Sequence, residues 1–211
     1  RKSDQALYWA TAISGDLTIR GLKSRNCTNI VRVAETIAKT LSLINPDYDT
    51  MGINWDSAVN AGARILEQYT FDKTVVNNST SSAISGLRLY ISDLSSTQIT
   101  NTTSDGSGVI AEQILDRGYY SKANLNTITL STPHTIKFRH YDYAFNEYGS
   151  AITGEESSTV RFNLFSYNSV AQAIASAYTG ITVVGDTSIT LSTNHTINEI
   201  LDYCRDWAVQ S

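Results

Sequence analysis

The strongest constraint on folding is a period of two that fills the middle of the chain. Leu87, Leu89 and Ile91 alternate with Arg88 and Tyr90. Ile136, Phe138 and His140 alternate with Lys137, Arg139 and Tyr141, and Val160, Phe162 and Leu164 alternate with Arg161 and Asn163. Such runs put one face on a core and the other in water, as in antiparallel strands. Between the first two runs, Thr103-Ser-Asp-Gly-Ser-Gly108 supplies the Asp and Gly of a tight turn. Residues 71–165 are therefore expected to form one small antiparallel β-sandwich. Val109–Leu115 has helix-like apolar spacing, but its place after the Asp-Gly turn favours a strand.

The flanks read differently. Leu7–Ile13 and Asp16–Arg20 suit two short strands joined at Ser14-Gly15. After a cap at Thr28 or Asn29, the residues Ile30, Val33, Ala34, Ile37, Leu41 and Ile44 recur at spacings of three and four, which predicts a helix ended by Asn45-Pro46-Asp47. Asp56 caps a second expected helix with Val59, Ala63, Leu66 and Tyr69 on one face. Downstream, Asn168 caps an Ala-rich helix through Tyr178. Ile181–Val184 and Ser188–Ser192 flank Gly185-Asp186 as a hairpin, and Thr196-Ile-Asn-Glu199 is a capping box opening a final helix. The expected fold class is α+β: a mainly helical unit over 1–70, a central Ig-like or transthyretin-like sandwich over 71–165, and a helix–hairpin–helix unit over 166–211. Thr127–Thr135 and Ser188–Thr196 agree at seven of nine positions. With one recurrence only, they read as two strands ending in similar turns, not as a repeated domain.

Composition narrows the function classes. Charged residues make up 17% of the 211, with Ser, Thr and Asn supplying the polar share, as is typical of secreted or virion β-proteins. The net charge is −4 and the 16 basic residues are scattered, so the basic stripe that a nucleic-acid partner requires is missing. No stretch of 18 apolar residues offers a membrane span. Cys27 and Cys204 could form one disulfide, though a buried thiol suits Cys204 better. Five Asn-x-Ser/Thr sequons (Asn26, Asn77, Asn78, Asn101, Asn194) matter only if a eukaryotic secretory pathway made the chain.

Residue sets for catalysis are incomplete, so no catalytic residue, cofactor or metal is expected. His134 and His195 hold matching places in the echo; they suit polar strand ends better than turn-tip metal ligands. Ser107 lies in a turn without a nucleophile elbow. Glu155-Glu156 are adjacent loop acids, whereas glycosidase carboxylates come from separate strands. Asp47 and Asp49 suit a helix-terminating turn better than a calcium loop. The remaining candidates are aromatic. Tyr119, Tyr120, Tyr141, Tyr143 and Tyr148, with Tyr167 beyond them, are expected around sandwich edges and loops, as a contact surface for subunits or sugars or as amphipathic fill.

Leu87–Ile91, then Thr103, Asp105 and Gly108, then Thr135–Arg139 with Tyr141-Asp-Tyr143, resemble the strand–turn–strand signature of carboxypeptidase regulatory-like (transthyretin-like) modules. Asp142-Tyr143 replaces the usual Gly-Tyr. The C-terminal stretch, with Thr179–Val183, Asp202-Tyr203 and Trp207-Ala208, is similar to segments of phage virion and tail-fibre proteins. These resemblances imply a non-enzymatic structural protein of a virion or tail assembly. It would contact itself and other virion or surface proteins, and possible host glycans, outside a cell. A bacterial adhesin or carbohydrate-binding module is the other class they allow.

Overall fold

The computed structural model describes residues 5–10, 15–140, 142–164, 181–184 and 188–191. The described residues up to 70 wind as a parallel β-coil. Its first turn holds β1 (Gln5–Ala10), β2 (Leu17–Arg20) and β3 (Lys23–Ser24). The second holds β4 (Asn29–Ala34), β5 (Thr40–Ile44) and β6 (Asp47–Tyr48). The third holds β7 (Ile53–Trp55) and the start of β8 (Arg64–Asn77). Each strand pairs in parallel with its counterpart one turn on: β1 with β4 with β7, β2 with β5 with β8, and β3 with β6. The register advances by 24 residues, as in Gln5↔Asn29, Leu17↔Leu41, Lys23↔Asp47 and Thr40↔Arg64. It shortens to 22 at Val31↔Ile53.

The corner that bends the chain after β2 and β5 repeats with the same period. Gly21 (φ 68°) and Asn45 (φ 49°) are both left-handed, a conformation that Gly adopts freely and Asn tolerates. Their amides donate to the next turn, Gly21 to the Ile44 carbonyl (2.8 Å) and Asn45 to the Gln68 carbonyl (2.9 Å). One period later stands Tyr69, extended within β8, and the strand runs straight on to Asn77. The coil stops where the corner residue stops.

The expected α+β class is therefore corrected: among the described residues there is no helix. The apolar set from Ile30 to Ile44 belongs to two strands, β4 and β5, with inward Val31, Val33, Leu41 and Leu43 fully buried. Asn29 opens β4 instead of capping a helix, and Asp56 follows β7 and pairs with Arg32 at 3.1 Å. The 3.6-residue stripe arose because apolar residues on both sides of the 35–39 corner mimic helical spacing. The expected helices at 168–178 and 196–208 lie outside the described residues.

Beyond residue 70 two sheets pack face to face. One has the order β10 (Gln98–Thr103), β9 (Arg88–Ser92), β13 (His134–His140), β14 (Tyr143–Ser150), all antiparallel. The other places β8 between β11 (Val109–Ser121), antiparallel, and β15 (Glu156–Phe162), parallel, with β12 (Thr129–Leu130) beyond β11. Phe71, Val75, Ile110, Leu115 and Phe162 of the second sheet meet Leu87, Leu89, Ile91, Ile136 and Phe138 in one core. The Asp105 turn forms as its residues demand. Asp105 Oδ1 accepts from the amides of Ser107 and Val109 (2.8 Å each), and Gly108 takes φ 75°. β16 (Ile181–Val184) and β17 (Ser188–Leu191) pair antiparallel.

The sandwich also closes one end of the coil. The end of β11 pairs antiparallel with β8 over residues that form the third turn, at Leu66↔Tyr119 and Ile65↔Tyr120. The loop after it supplies Asn126 Oδ1 to the Ile53 amide (3.0 Å) and the Leu125 carbonyl to Trp55 Nε1 (3.3 Å). Tyr120 and Ile128 thereby join the coil core. A repeat stack needs such terminal caps, since its last turn has no neighbour to cover it.

Candidate functional site

The expected tyrosine surface is not one surface. Tyr120 is buried in the coil core. Tyr119, its neighbour on the strand, turns the other way and lies 4.9 Å beneath the Arg64 guanidinium. Tyr143 packs against the sandwich core, its ring edge-on to His140 at 5.1 Å. Tyr148 packs on Phe138 at 6.4 Å, and burial, aided by the Glu156 charge, pushes its ionisation up to about 12. Tyr141 and Tyr167 lie outside the described residues. Strand alternation separates Tyr119 from Tyr120.

The other polar candidates have structural partners. His134 is buried at the start of β13, its Nε2 2.9 Å from the Asp116 carbonyl; His195 is outside the described residues. Asp47 and Asp49 both pair with Arg25, the second at 3.4 Å, which ties adjacent coil turns together. Glu156 accepts from buried Lys73 (3.3 Å) and from Ser150 Oγ (2.6 Å), whereas Glu155 is exposed. Ser107 sits exposed in the Asp105 turn. The Cys27 thiol approaches the Arg25 carbonyl, and Cys204 is outside the described residues. Among the described residues, no group of three or more His, Cys, Asp or Glu is placed to hold a metal.

The least expected polar cluster sits at the seam between coil and sandwich. Glu67 points inward from β8 with no solvent exposure. Its carboxylate accepts from Arg117 (2.6 Å), Tyr69 Oη (2.8 Å) and Tyr120 Oη (3.0 Å). Burial, then the Glu67 charge, pushes the Tyr120 phenol up to about 12; burial and the hydrogen bond to Glu67 push Tyr69 higher still. The Tyr48 hydroxyl is buried beside them without a hydrogen bond of its own, and burial raises its ionisation most of all. The cluster ties residues of β8 and β11 to one another through a single carboxylate. It fixes the angle at which β8, β11 and the coil meet.

Open surface with an unsatisfied edge lies on one flank of the sandwich. Among the described residues, β10 ends its sheet and β11 has no strand on its outer side before Gly118. Gln98-Ile-Thr-Asn-Thr-Thr103 carries no charge and no proline. Ile99, Val109 and Ile114 are all exposed along this flank, and Thr100 Oγ1 bonds Gln113 Oε1 across it at 3.0 Å. A β-bulge lies near Gln98, leaving Thr100–Thr103 as a regular free edge. Lys, Pro or long bulges usually guard such an edge against pairing. Glu112 of β11 is held by a bidentate ion pair with Arg20 of the coil (2.8 and 3.1 Å), which lowers its pKa.

No protein-family model matches this chain, and no curated protein matches it. Among solved structures it is similar to the Bacillus anthracis TIE protein, at TM-score 0.32 and 14% identity, over 55% of this chain and 19% of that one. The chain thus spans under a fifth of that structure's length, and a likeness at this level implies neither a shared fold nor a shared activity.

Proposed function

We propose that the chain is a non-enzymatic structural module of a virion or tail-fibre type assembly outside a cell, working through contacts between its own copies and with other surface proteins. The uncharged free edge of β10, with Ile99, Val109 and Ile114 exposed beside it, carries this reading. A strand edge of this composition gains backbone hydrogen bonds and apolar burial by pairing with another chain. The rest of the molecule suits a part that bears shape: β8 runs unbroken through coil and sandwich, and the polar clusters inside are spent on holding strands together. The strands and Asp105 turn that resemble carboxypeptidase regulatory-like modules lie in this same pair of sheets, and we keep that resemblance within the proposal.

Light scattering on the purified chain, with negative-stain imaging, tests it. A defined multimer is expected, and the pair Ile99→Lys and Ile114→Lys should convert it to monomer at an unchanged melting temperature, because both positions are exposed. A parent chain that stays monomeric at every concentration would overturn the assembly reading, and glycan screening of the adhesin class would follow.

A further inference from the structure

Among the described residues, the chain enters the sandwich on β8 and leaves it on β15. These two strands are parallel neighbours over the whole of β15, from Glu156↔Phe71 to Phe162↔Asn77. The other described strand pairs of the sandwich are antiparallel. In a parallel pair, the start of one strand and the end of the other lie at opposite ends of the ladder. Tension between the coil and the chain after β15 therefore pulls along the two strands in opposite senses. The ladder bonds are strained together and must fail together, whereas a pair pulled apart from one end opens bond by bond.

Side chains join the same two strands on both faces. Lys73 points into the sandwich, its side chain 5% exposed and its ammonium 4.4 Å over the Phe71 ring. It donates to Glu156 Oε2 (3.3 Å) and Ser158 Oγ (3.1 Å), both on β15. A buried cation is costly unless it is partnered, so these bonds hold β15 against β8. Glu156 is tied in turn to the opposite sheet, accepting from Ser150 Oγ of β14 at 2.6 Å. On the outer face, Ser157 Oγ donates to Asp72 Oδ2 at 2.8 Å. At the far end of the pair, the Asn78 amide donates to the Phe162 carbonyl (2.8 Å), Asn78 Nδ2 to Asn163 Oδ1 (2.9 Å) and Arg161 to Ser81 Oγ (3.1 Å). On the other side of β8, side-chain bonds to β11 gather at the seam, at Glu67 and Gln68.

We infer that the β8–β15 pair is a load-bearing clamp, through which tension crosses the sandwich in shear without opening it. The side-chain bonds add to the ladder because all of them are loaded at once. The clamp lies at the opposite edge of the sandwich from β10, so load at one edge does not disturb contacts at the other. This function goes beyond the contact-based reading, and its failure would leave the β10 flank and its light-scattering test untouched.

Single-molecule force spectroscopy on the full chain tests it, with handles on paired cysteines and Cys27→Ser and Cys204→Ser in the background. One pair, Ala61→Cys with Leu164→Cys, pulls the start of β8 against the end of β15. The other, Ser79→Cys with Leu164→Cys, pulls both strands from the end where Asn77 faces Phe162. All three positions are exposed. The first geometry is expected to rupture at a several-fold higher force, since forced unfolding follows the unfolding barrier along the pulled direction. That geometry also loads β8 against β11, and the variant Asp72→Ala with Asn78→Ala separates the two. It removes two links to β15 and should make the first geometry rupture roughly tenfold faster at fixed force. Equal forces in the two geometries would overturn the inference. So would a variant that ruptures at the parent's rate, because the links to β15 would then bear no load.

Discussion

Coil and sandwich bury their apolar residues by opposite means, and β8 serves both. In the coil each turn covers only its neighbours, so Leu17, Leu41 and Ile65 form a line along an axis. In the sandwich, Phe138 meets Phe162 across two sheets at 5.5 Å, and residues distant in sequence share one core. The inward face of β8 passes from Ile65 in the first core to Tyr69 and Phe71 in the second. Between them stands Glu67. A single alternating strand can therefore belong to two architectures, provided the residue at the seam satisfies groups from both. Here it binds Tyr120 of the coil core, Tyr69 of the sandwich core and Arg117 of β11.

Removing that residue gives the largest expected effect. Glu67→Ala orphans a guanidinium and two phenols in a buried site, where loss of one partner costs about 3 kcal/mol; Arg117, 29% exposed at its side chain, recovers part of this by rehydrating. Calorimetry is expected to show the single unfolding transition lowered and split in two, coil apart from sandwich. One sharp transition at lower temperature would mean that the β8 backbone alone couples the regions.

A smaller effect separates the turns of the coil. Leu41→Ala is expected to cost about 3 kcal/mol as a fully buried truncation. Leu17→Ala, at its half-exposed register partner, should cost about 1 kcal/mol. Denaturant titration of both variants measures the difference. Equal losses would show that something already covers the first turn in solution.

The central strands were legible because an antiparallel pair with one wet face writes its period into the sequence. Leu87-Arg-Leu-Tyr-Ile91 and Ile136-Lys-Phe-Arg-His140 are β9 and β13 as their alternation requires. The coil was not, because its strands are short and its corners carry apolar residues too. Ile30, Val33 and Ile37 look helical, yet Ile37 is an exposed corner residue. The signal that was present is the 24-residue offset, with Leu-Thr-Ile-Arg-Gly21 over Leu-Ser-Leu-Ile-Asn45. Two turns and a half give too few copies for such a period to stand out beside a strong 3.6-residue stripe. Glu67 was invisible for another reason: it fell inside the second expected helix, between Leu66 and Tyr69, and an acid there reads as solvent-facing until its neighbours are placed.

The smallest expected effect belongs to the sandwich alone. His140 is buried at the end of β13, and its Nδ1 accepts the Asp142 amide at 3.1 Å, which requires an unprotonated nitrogen there. Burial lowers its pKa below the ordinary histidine value, against the opposing pull of Asp142. The folded state therefore favours the neutral ring. Its contribution is complete above about 6.5, the unfolded value, and is lost as pH falls through the lowered folded value. Melting temperatures taken between about pH 7.5 and about pH 5 should fall more for the parent than for His140→Gln, which has no proton to gain. The coil offers a built-in control, since the described histidines, His134 and His140, both lie in β13. Protection factors, corrected for the pH dependence of free-amide exchange, should accordingly fall with acid in β13 and β14 before they do in β4 and β5. The reverse order would place the acid-sensitive group in the coil and remove His140 as its source.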